Sequence, residues 1–359
     1  MTPDFPVRWQ RALAAAPAAT IYATSGPSVQ WLTGLHSSYA AVLVANDQVK
    51  LLTDGRYESR AMAQAKLAGF EVQIVRNLDQ AAFELLADNA AVAVEYSQLS
   101  AAQYQAIKTV LGERRIELAD ISAELLALRA IKDAYEIERI STACQLSIDA
   151  LDKTITQIRI GMTELEVART LELAMGLLGA DDRAFPSIVA AGPNSATPHH
   201  EPTTRELAKG DILKIDFGAL VDGYHADCTR CFVLGQDPTE QQTTVHTAVD
   251  QAAQLGRAQL APGVEYSSVE HKVREFLDGK GLDEYFTHGL GHGVGLEIHE
   301  APALSRLAAG NLVAGHTVTV EPGVYLPNQF GIRIEDTCVV TESGSWILTQ
   351  YPRELTRIA

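Results

Sequence analysis

Apolar positions in the first third of the chain recur with two different periods. Short apolar runs, "ATIYAT", "AAVLVAN", "VKLLTD", "FEVQIV", "AVAVEY" and "IELADI", predict strands. Between them, "RYESRAMAQAKLAG" and "LSAAQYQAIKTVLG" carry apolar residues at helical spacing, and each closes on a glycine suited to a helix C-terminus. The alternation predicts an α/β domain over 1–122 with a mixed or parallel sheet.

Near residue 122 the pattern changes. "SAELLALRAIKDAYEIERISTACQLSIDALDKTITQI" keeps one helical period throughout and predicts a long helix at the joint between domains. A second helix follows in "GMTELEVARTLELAMGLLG", where Thr163 and Glu166 have capping-box spacing. Strands then dominate: "FPSIVAAG", "GDILKIDFGAL" and "GYHADCTRCFVLG". After helices in "TTVHTAVDQAAQLGRAQL" and "SSVEHKVREFLDGKG", the chain returns to strands in "HTVTVEPGVYL", "GIRIEDTCVVT" and "SWILTQ". Segregated strands and helices predict an α+β domain over 123–359 built on an antiparallel sheet.

Composition narrows the function classes. With 359 residues, two domains are expected, and 47% hydrophobic with 21% charged residues is an ordinary globular balance. A net charge of -16 repels phosphate backbones and anionic lipid surfaces, so neither nucleic acid nor membrane is an expected partner. The apolar runs are too short for a membrane span, and "MTPDFPVRWQ" lacks a basic segment followed by an apolar one. The four cysteines, at 144, 228, 231 and 338, are too few for a disulfide scaffold, so a reduced, cytoplasmic protein is expected.

Acidic side chains interrupt strands that are otherwise apolar. In "LKIDFGALVDGYHADCTRC" the Asp222–Gly223 pair signals a hairpin turn, and Asp216 and Asp227 stand nearly equidistant from it. They are expected close together across the pair, on one face. Glu321 ends the apolar "VTV", and Glu335 follows Arg333 on the face opposite Ile332 and Ile334. Should these strands meet, four carboxylates converge, a charge that two divalent cations would neutralise. A histidine would complete the oxygen-rich shell, which suits Mn²⁺, Co²⁺ or Zn²⁺.

The histidine comes from "HGLGHGVGLEIHE" (288–300), three histidines spread among four glycines. Rival motifs in the same region fail on spacing. In "CTRC", Cys228 and Cys231 fall on opposite faces of a strand, which predicts structural thiols. "GLGHGVG" breaks the dinucleotide-loop pattern at Val294, and "HE" at 299–300 lacks the second histidine of HExxH, because Ala303 stands there.

Taken in order, "DFGALVDGYHADCTR", "HGLGHGVGLEIHE", "VEPGVYL" and "GIRIEDT" resemble the metal-site motifs of pita-bread-fold metallopeptidases. That group includes Xaa-Pro dipeptidases (prolidases), Xaa-Pro aminopeptidases (aminopeptidase P) and methionine aminopeptidases. The resemblance extends to "LRAIKDAYEIERI" and, in the first domain, to "LLTDGRY". It implies a pita-bread catalytic domain behind a smaller creatinase-type α/β domain. It also implies that Asp216, Asp227, His292, Glu321 and Glu335 hold two divalent ions, Mn²⁺ foremost. Asp227 and Glu335 match bridging ligands, and Glu321 matches a glutamate that also takes a proton. His299 matches a histidine that contacts the substrate carbonyl, and His199 one near the substrate amide. His288 aligns with a histidine lining the pocket, and Arg333 with an arginine supporting the carboxylates. His200, His225 and Tyr224 are assigned to packing or solvent.

The implied reaction is hydrolysis of the Xaa-Pro bond, in dipeptides or at the N-terminus of short peptides, through a metal-bridging hydroxide. The substrate is a peptide with proline second, and the protein a homodimer. The α/β domain sets the chain apart from most methionine aminopeptidases, and five intact ligand positions set it apart from creatinase. Many prolidases carry an arginine after "HExP", where this chain has Ala303, so substrate length stays open. Two other readings are an inactive binding protein of the same fold and an aminopeptidase with different N-terminal specificity.

Overall fold

Six strands of the first third form a single mixed sheet, ordered Glu71–Ile74, Gln48–Thr53, Ala40–Ala45, Thr20–Ala23, Ala91–Val94 and Glu117–Asp120. The central three run antiparallel to their chain neighbours, and the outer pairings are parallel. The computed structural model describes residues 2–46, 48–112 and 114–359. Both predicted helices of this unit form, as Glu58–Ala68 and Ala101–Leu111. Helices Phe5–Ala15, Gly26–Thr33 and Leu78–Glu84 were not apparent in the periodicity, being short or opened by proline. Their start signals are local: Asp4, Ser25 and Asn77 each accept a backbone N–H from the first turn.

The chain divides into two units after Arg129, at the end of helix Ser122–Ala130. The long helix expected across this region is in fact two. Ile131 pairs in a β-bridge with His316, Lys132 N donates to Gly315 O, and Asp133 caps a new helix, Ala134–Ile155. Asp133 and Glu136 satisfy each other's backbone donors in a capping box, so three residues of "IKD" leave the helical path without disturbing the apolar period on either side.

In the second unit two pairs of helices cover mainly antiparallel strands. Ala134–Ile155 and Glu164–Leu178 pack Leu151, Val167, Leu171 and Met175 against Leu213, Ile215, Phe217 and Cys228. Glu240–Ala258 and Tyr266–Asp278 pack Val245, Val249, Val273 and Leu277 against Cys231, Val233, Val318 and Val320. Strand Cys228–Leu234 serves both cores, so Cys228 and Cys231 point to opposite sides, buried and free of disulfides as their spacing predicts.

Four ladders bring the acidic residues together. Ile212–Phe217 lies between Ile188–Ala191 and Cys228–Leu234, antiparallel to both. Gly323–Leu326 pairs with Phe330–Arg333, and Thr317–Val320 pairs with Asp336–Thr341. The hairpin register sets Leu220 against His225 around the Asp222–Gly223 turn and Asp216 against Thr229. The two aspartates therefore meet on a diagonal rather than directly across. Among the described residues, no helix is long and apolar enough to cross a membrane.

Candidate metal centre

The four carboxylates come from strand ends that the packing above brings to one place. Asp216 lies near the end of Ile212–Phe217, and Asp227 just before Cys228–Leu234. Glu321 follows Thr317–Val320, and Glu335 sits between Phe330–Arg333 and Asp336–Thr341. Strand alternation sends Ile332 and Ile334 into the core, with Arg333 and Glu335 facing the other way into a cavity of about 460 Å³.

His292 reaches the same cavity from strand Gly291–Gly293, the centre of the glycine-rich stretch. The glycines allow backbones to close: a Cβ on Gly291 would lie 2.0 Å from Thr319 O, and one on Gly293 2.2 Å from Ala301 O. No side chain could occupy either position. His292 Nε2 lies 3.5 Å from Asp227 Oδ2 and 3.4 Å from Glu321 Oε1. Its Nδ1 is 3.1 Å from Gly293 O, which accepts the ring N–H and leaves the Nε2 lone pair facing the carboxylates. Burial, reinforced by His299, lowers its pKa to about 4, so the ring is neutral at pH 7.

All nine residues singled out in the sequence line this one cavity: His199, Asp216, Asp227, His288, His292, His299, Glu321, Arg333 and Glu335. His299 stacks edge-on to His292, with ring centroids 4.3 Å apart. His288 donates or accepts at Nε2 with Tyr325 Oη at 2.7 Å, and its Nδ1 lies 3.9 Å from Glu321 Oε2. Burial, then the Arg333 charge, lowers His288 to about 3 and holds His199 below its usual range.

Electrostatically the carboxylates are in conflict. Burial and then the mutual repulsion of Glu335, Asp216 and Glu321 push Asp227 well above the ordinary aspartate range. Burial and the charges of Glu321 and Asp216 do the same to Glu335. Glu321 rises to about 8, because burial and Asp216 outweigh the nearby Arg333. Burial opposes the charge of Arg333, yet Tyr325 and the carboxylates around it keep it firmly protonated.

These residues fit divalent cations. Asp227, His292 and Glu335 each offer a donor atom, all within 4.8 Å of one another. Asp216 Oδ1 is buried with no hydrogen-bond partner among the described residues, an acceptor left open on the cavity side. Three carboxylates raised by burial and by neighbouring carboxylate charge, one neutral imidazole and one orphaned oxygen form an oxygen-rich set that cations would relieve.

Several contributors were not singled out in the sequence. Thr229 donates to Glu335 Oε2 at 2.6 Å and accepts from Arg333 Nε at 3.0 Å. Tyr325 links His288 to Arg333 Nη1, which lies 2.9 Å away. His200, assigned to packing or solvent, lines the cavity and donates to Glu164 at 2.9 Å. Tyr224 and His225 are anchored away from the carboxylates, on Glu136 and Gly295. Phe185, Pro186, Ile188 and Ile298 supply an apolar side to the cavity. Thr229 had a readable signal, since the hairpin register places it opposite Asp216.

Residues 138–342 match metallopeptidase family M24, and residues 8–131 match the creatinase/prolidase N-terminal domain. The chain is 39% identical over 239 residues to an Xaa-Pro dipeptidase of Pyrococcus furiosus, a match covering 67% of this chain and 68% of that protein. The crystal structure of an X-Pro aminopeptidase from Thermotoga maritima superposes with a TM-score of 0.89 at 34% identity, covering 97% of this chain and 99% of the other. An Xaa-Pro dipeptidase from Bacillus anthracis gives 0.91 at 31% identity, covering 98% and 99%. With its acidic centre, its pita-bread fold and a match over more than half its length, the chain belongs to metallopeptidase family M24 and carries a creatinase/prolidase-type N-terminal domain.

Proposed function

We propose that the protein hydrolyses the bond between an N-terminal residue and a following proline, using two divalent ions held by Asp216, Asp227, His292, Glu321 and Glu335. The observation that carries this reading is the convergence of four carboxylates and one neutral imidazole on a single cavity. Mn²⁺ is the first choice among ions suited to this oxygen-rich set, with Co²⁺ and Zn²⁺ as alternatives. Bound there, such ions supply Lewis acidity and a nucleophile at neutral pH.

The chain's own groups do the rest. Asp227 and Glu335, whose donor atoms lie within 4.8 Å of each other, would both hold metal, and Thr229 fixes the Glu335 carboxylate through its 2.6 Å bond. Glu321 lies beside His292 at 3.4 Å, placed to accept a proton at the reacting centre. His299 and His199, both exposed on the cavity lining, orient the substrate carbonyl and amide. Arg333 holds Asp216 in place and has no role in proton transfer, since its charge is locked. The apolar side formed by Phe185, Ile188 and Ile298 suits a proline ring, which brings no amide N–H needing a partner. Resemblance to Xaa-Pro peptidases further supports a homodimer, working in the cytoplasm where its four buried thiols stay reduced.

The test is hydrolysis of Ala-Pro and Ala-Pro-Ala by protein stripped with a chelator and then supplied with Mn²⁺. Turnover of at least one peptide should vanish on stripping and return with metal. Failure to cleave any Xaa-Pro peptide at any metal load would exclude the reading.

A further inference from the structure

One wall of the cavity, from Ala191 to Thr203, is pinned by two buried ionisable side chains, Glu164 and Lys214. Glu164, fully buried at the start of helix Glu164–Leu178, accepts from Ala191 N at 2.8 Å, Asn194 Nδ2 at 3.0 Å, His200 Nε2 at 2.9 Å, Thr203 N at 3.0 Å and Thr203 Oγ1 at 2.7 Å. Lys214, equally buried, donates from Nζ to the carbonyls of Ser195 at 3.0 Å, Thr197 at 2.7 Å and Pro198 at 3.2 Å. Eight hydrogen bonds to these two side chains fix this segment from within.

The clamped wall carries Glu201, between His200 and Pro202. Its side chain is exposed, lines the cavity, and has no hydrogen bond or ion pair among the described residues. The cavity lining holds one lysine or arginine, Arg333. That guanidinium is committed to Asp216, Thr229, Tyr325 and the Pro198 carbonyl, and it is buried. Lys214, buried behind this wall, spends its donors on the carbonyls of Ser195, Thr197 and Pro198. Among the described residues no lining lysine or arginine is left to receive a substrate carboxylate, and an unpaired carboxylate stands there instead.

An enzyme that removes a single N-terminal residue encloses that residue at the deep end of its cavity. The rest of the substrate leaves toward solvent past exposed side chains of the lining, Glu201 among them. An Xaa-Pro dipeptide ends there in a carboxylate, whereas a longer peptide continues with a neutral amide. Resting on the Xaa-Pro reading above, we infer that Glu201 is a specificity-determining residue that disfavours a free carboxylate on the proline. The preferred substrates are peptides that extend beyond it.

The experiment compares kcat/KM of the Mn²⁺-loaded enzyme on Ala-Pro, Ala-Pro-amide and Ala-Pro-Ala. The first two differ in one charge and little else. The wild-type chain should favour the amide and the tripeptide over Ala-Pro on the order of tenfold, the scale of one charge–charge interaction near a protein surface. Glu201→Gln should bring the ratio of amide to acid toward one, Glu201→Arg should invert it, and added salt should shrink the wild-type ratio. A wild-type enzyme that prefers Ala-Pro, or a ratio unchanged in both variants, would overturn the role of Glu201 while leaving the Xaa-Pro reading intact. Absence of turnover on all three peptides would instead overturn both.

Discussion

Arg333 holds one oxygen of Asp216 through Nη2, while the other, Oδ1, is buried without a hydrogen-bond partner among the described residues. A buried acceptor left open costs about 1–3 kcal/mol. The same arginine fixes Thr229 and Tyr325, so one guanidinium aligns three groups around the centre. Arg333→Met should therefore free Asp216 and weaken Mn²⁺ binding on the order of 10–100-fold, as loss of ligand-orienting partners does elsewhere. Calorimetric titration of metal into stripped protein measures this, and an unchanged affinity would show that Asp216 needs no such support.

His292 and His299 stand 4.3 Å apart yet have separate jobs in this account. Only His292 is within 3.5 Å of two of the carboxylates. His292→Ala should lose metal, seen as reduced metal content after dialysis. His299→Ala should keep its metal and lose rate by roughly 10²–10³, the usual cost of removing a donor at the reacting carbonyl. Equal metal loss in both variants would reverse the assignment.

Glu164 gives a pH-dependent prediction away from the metal ligands. Burial alone would raise its pKa, but the bonds from His200, Ala191, Thr203 and Asn194 prevail and hold it below its ordinary 4.5. A carboxyl with a depressed folded-state pKa contributes stability above its unfolded value and loses it as pH falls through the folded one. Glu164→Gln should lower stability by about 1.5–3 kcal/mol at neutral pH, the range for hydrogen bonds to a charged group. Thermal unfolding should show the gap between variant and wild type closing below pH 4.5. A gap independent of pH would mean that the Glu164 charge is not what clamps the wall.

Asp336, next to Glu335 but turned away from the cavity, faces three arginines. Arg230 Nη2, Arg257 Nη1 and Arg353 Nε each lie 2.8 Å from its oxygens. Asp336→Asn would strand buried guanidiniums and should cost about 3–5 kcal/mol, read as a lower denaturation midpoint. A loss below about 1 kcal/mol would show that the Asp336 charge is not what holds these arginines, Arg230 being satisfied by its carbonyl partners.

Much of the centre was legible because strands alternate. An acidic residue placed among apolar ones must face away from the core, and Glu335 and Arg333 do so opposite Ile332 and Ile334. The hairpin arithmetic around Asp222–Gly223 pointed to Asp216 and Asp227 as neighbours, and the register, which sets Asp216 against Thr229, makes them meet on a diagonal. The break at Ile131–Asp133 was hidden because the apolar period continues across it. What interrupts the helix is a partner distant in sequence, His316. The clamp on the cavity wall was equally hidden. Glu164 reads as a first-turn acid and Lys214 as an oddity in an apolar strand, and neither reveals the loop it holds until the chain is folded.

The central claim is that these five side chains hold metal and that the metal-loaded chain cleaves Xaa-Pro bonds. The most direct measurement titrates Mn²⁺ into stripped protein while following release of alanine from Ala-Pro-Ala. Turnover should rise with occupancy toward two ions per chain, and Glu335→Gln should abolish both the full occupancy and the rate. Turnover by the stripped protein, or full occupancy with no cleavage of this peptide or of Ala-Pro, would contradict the account.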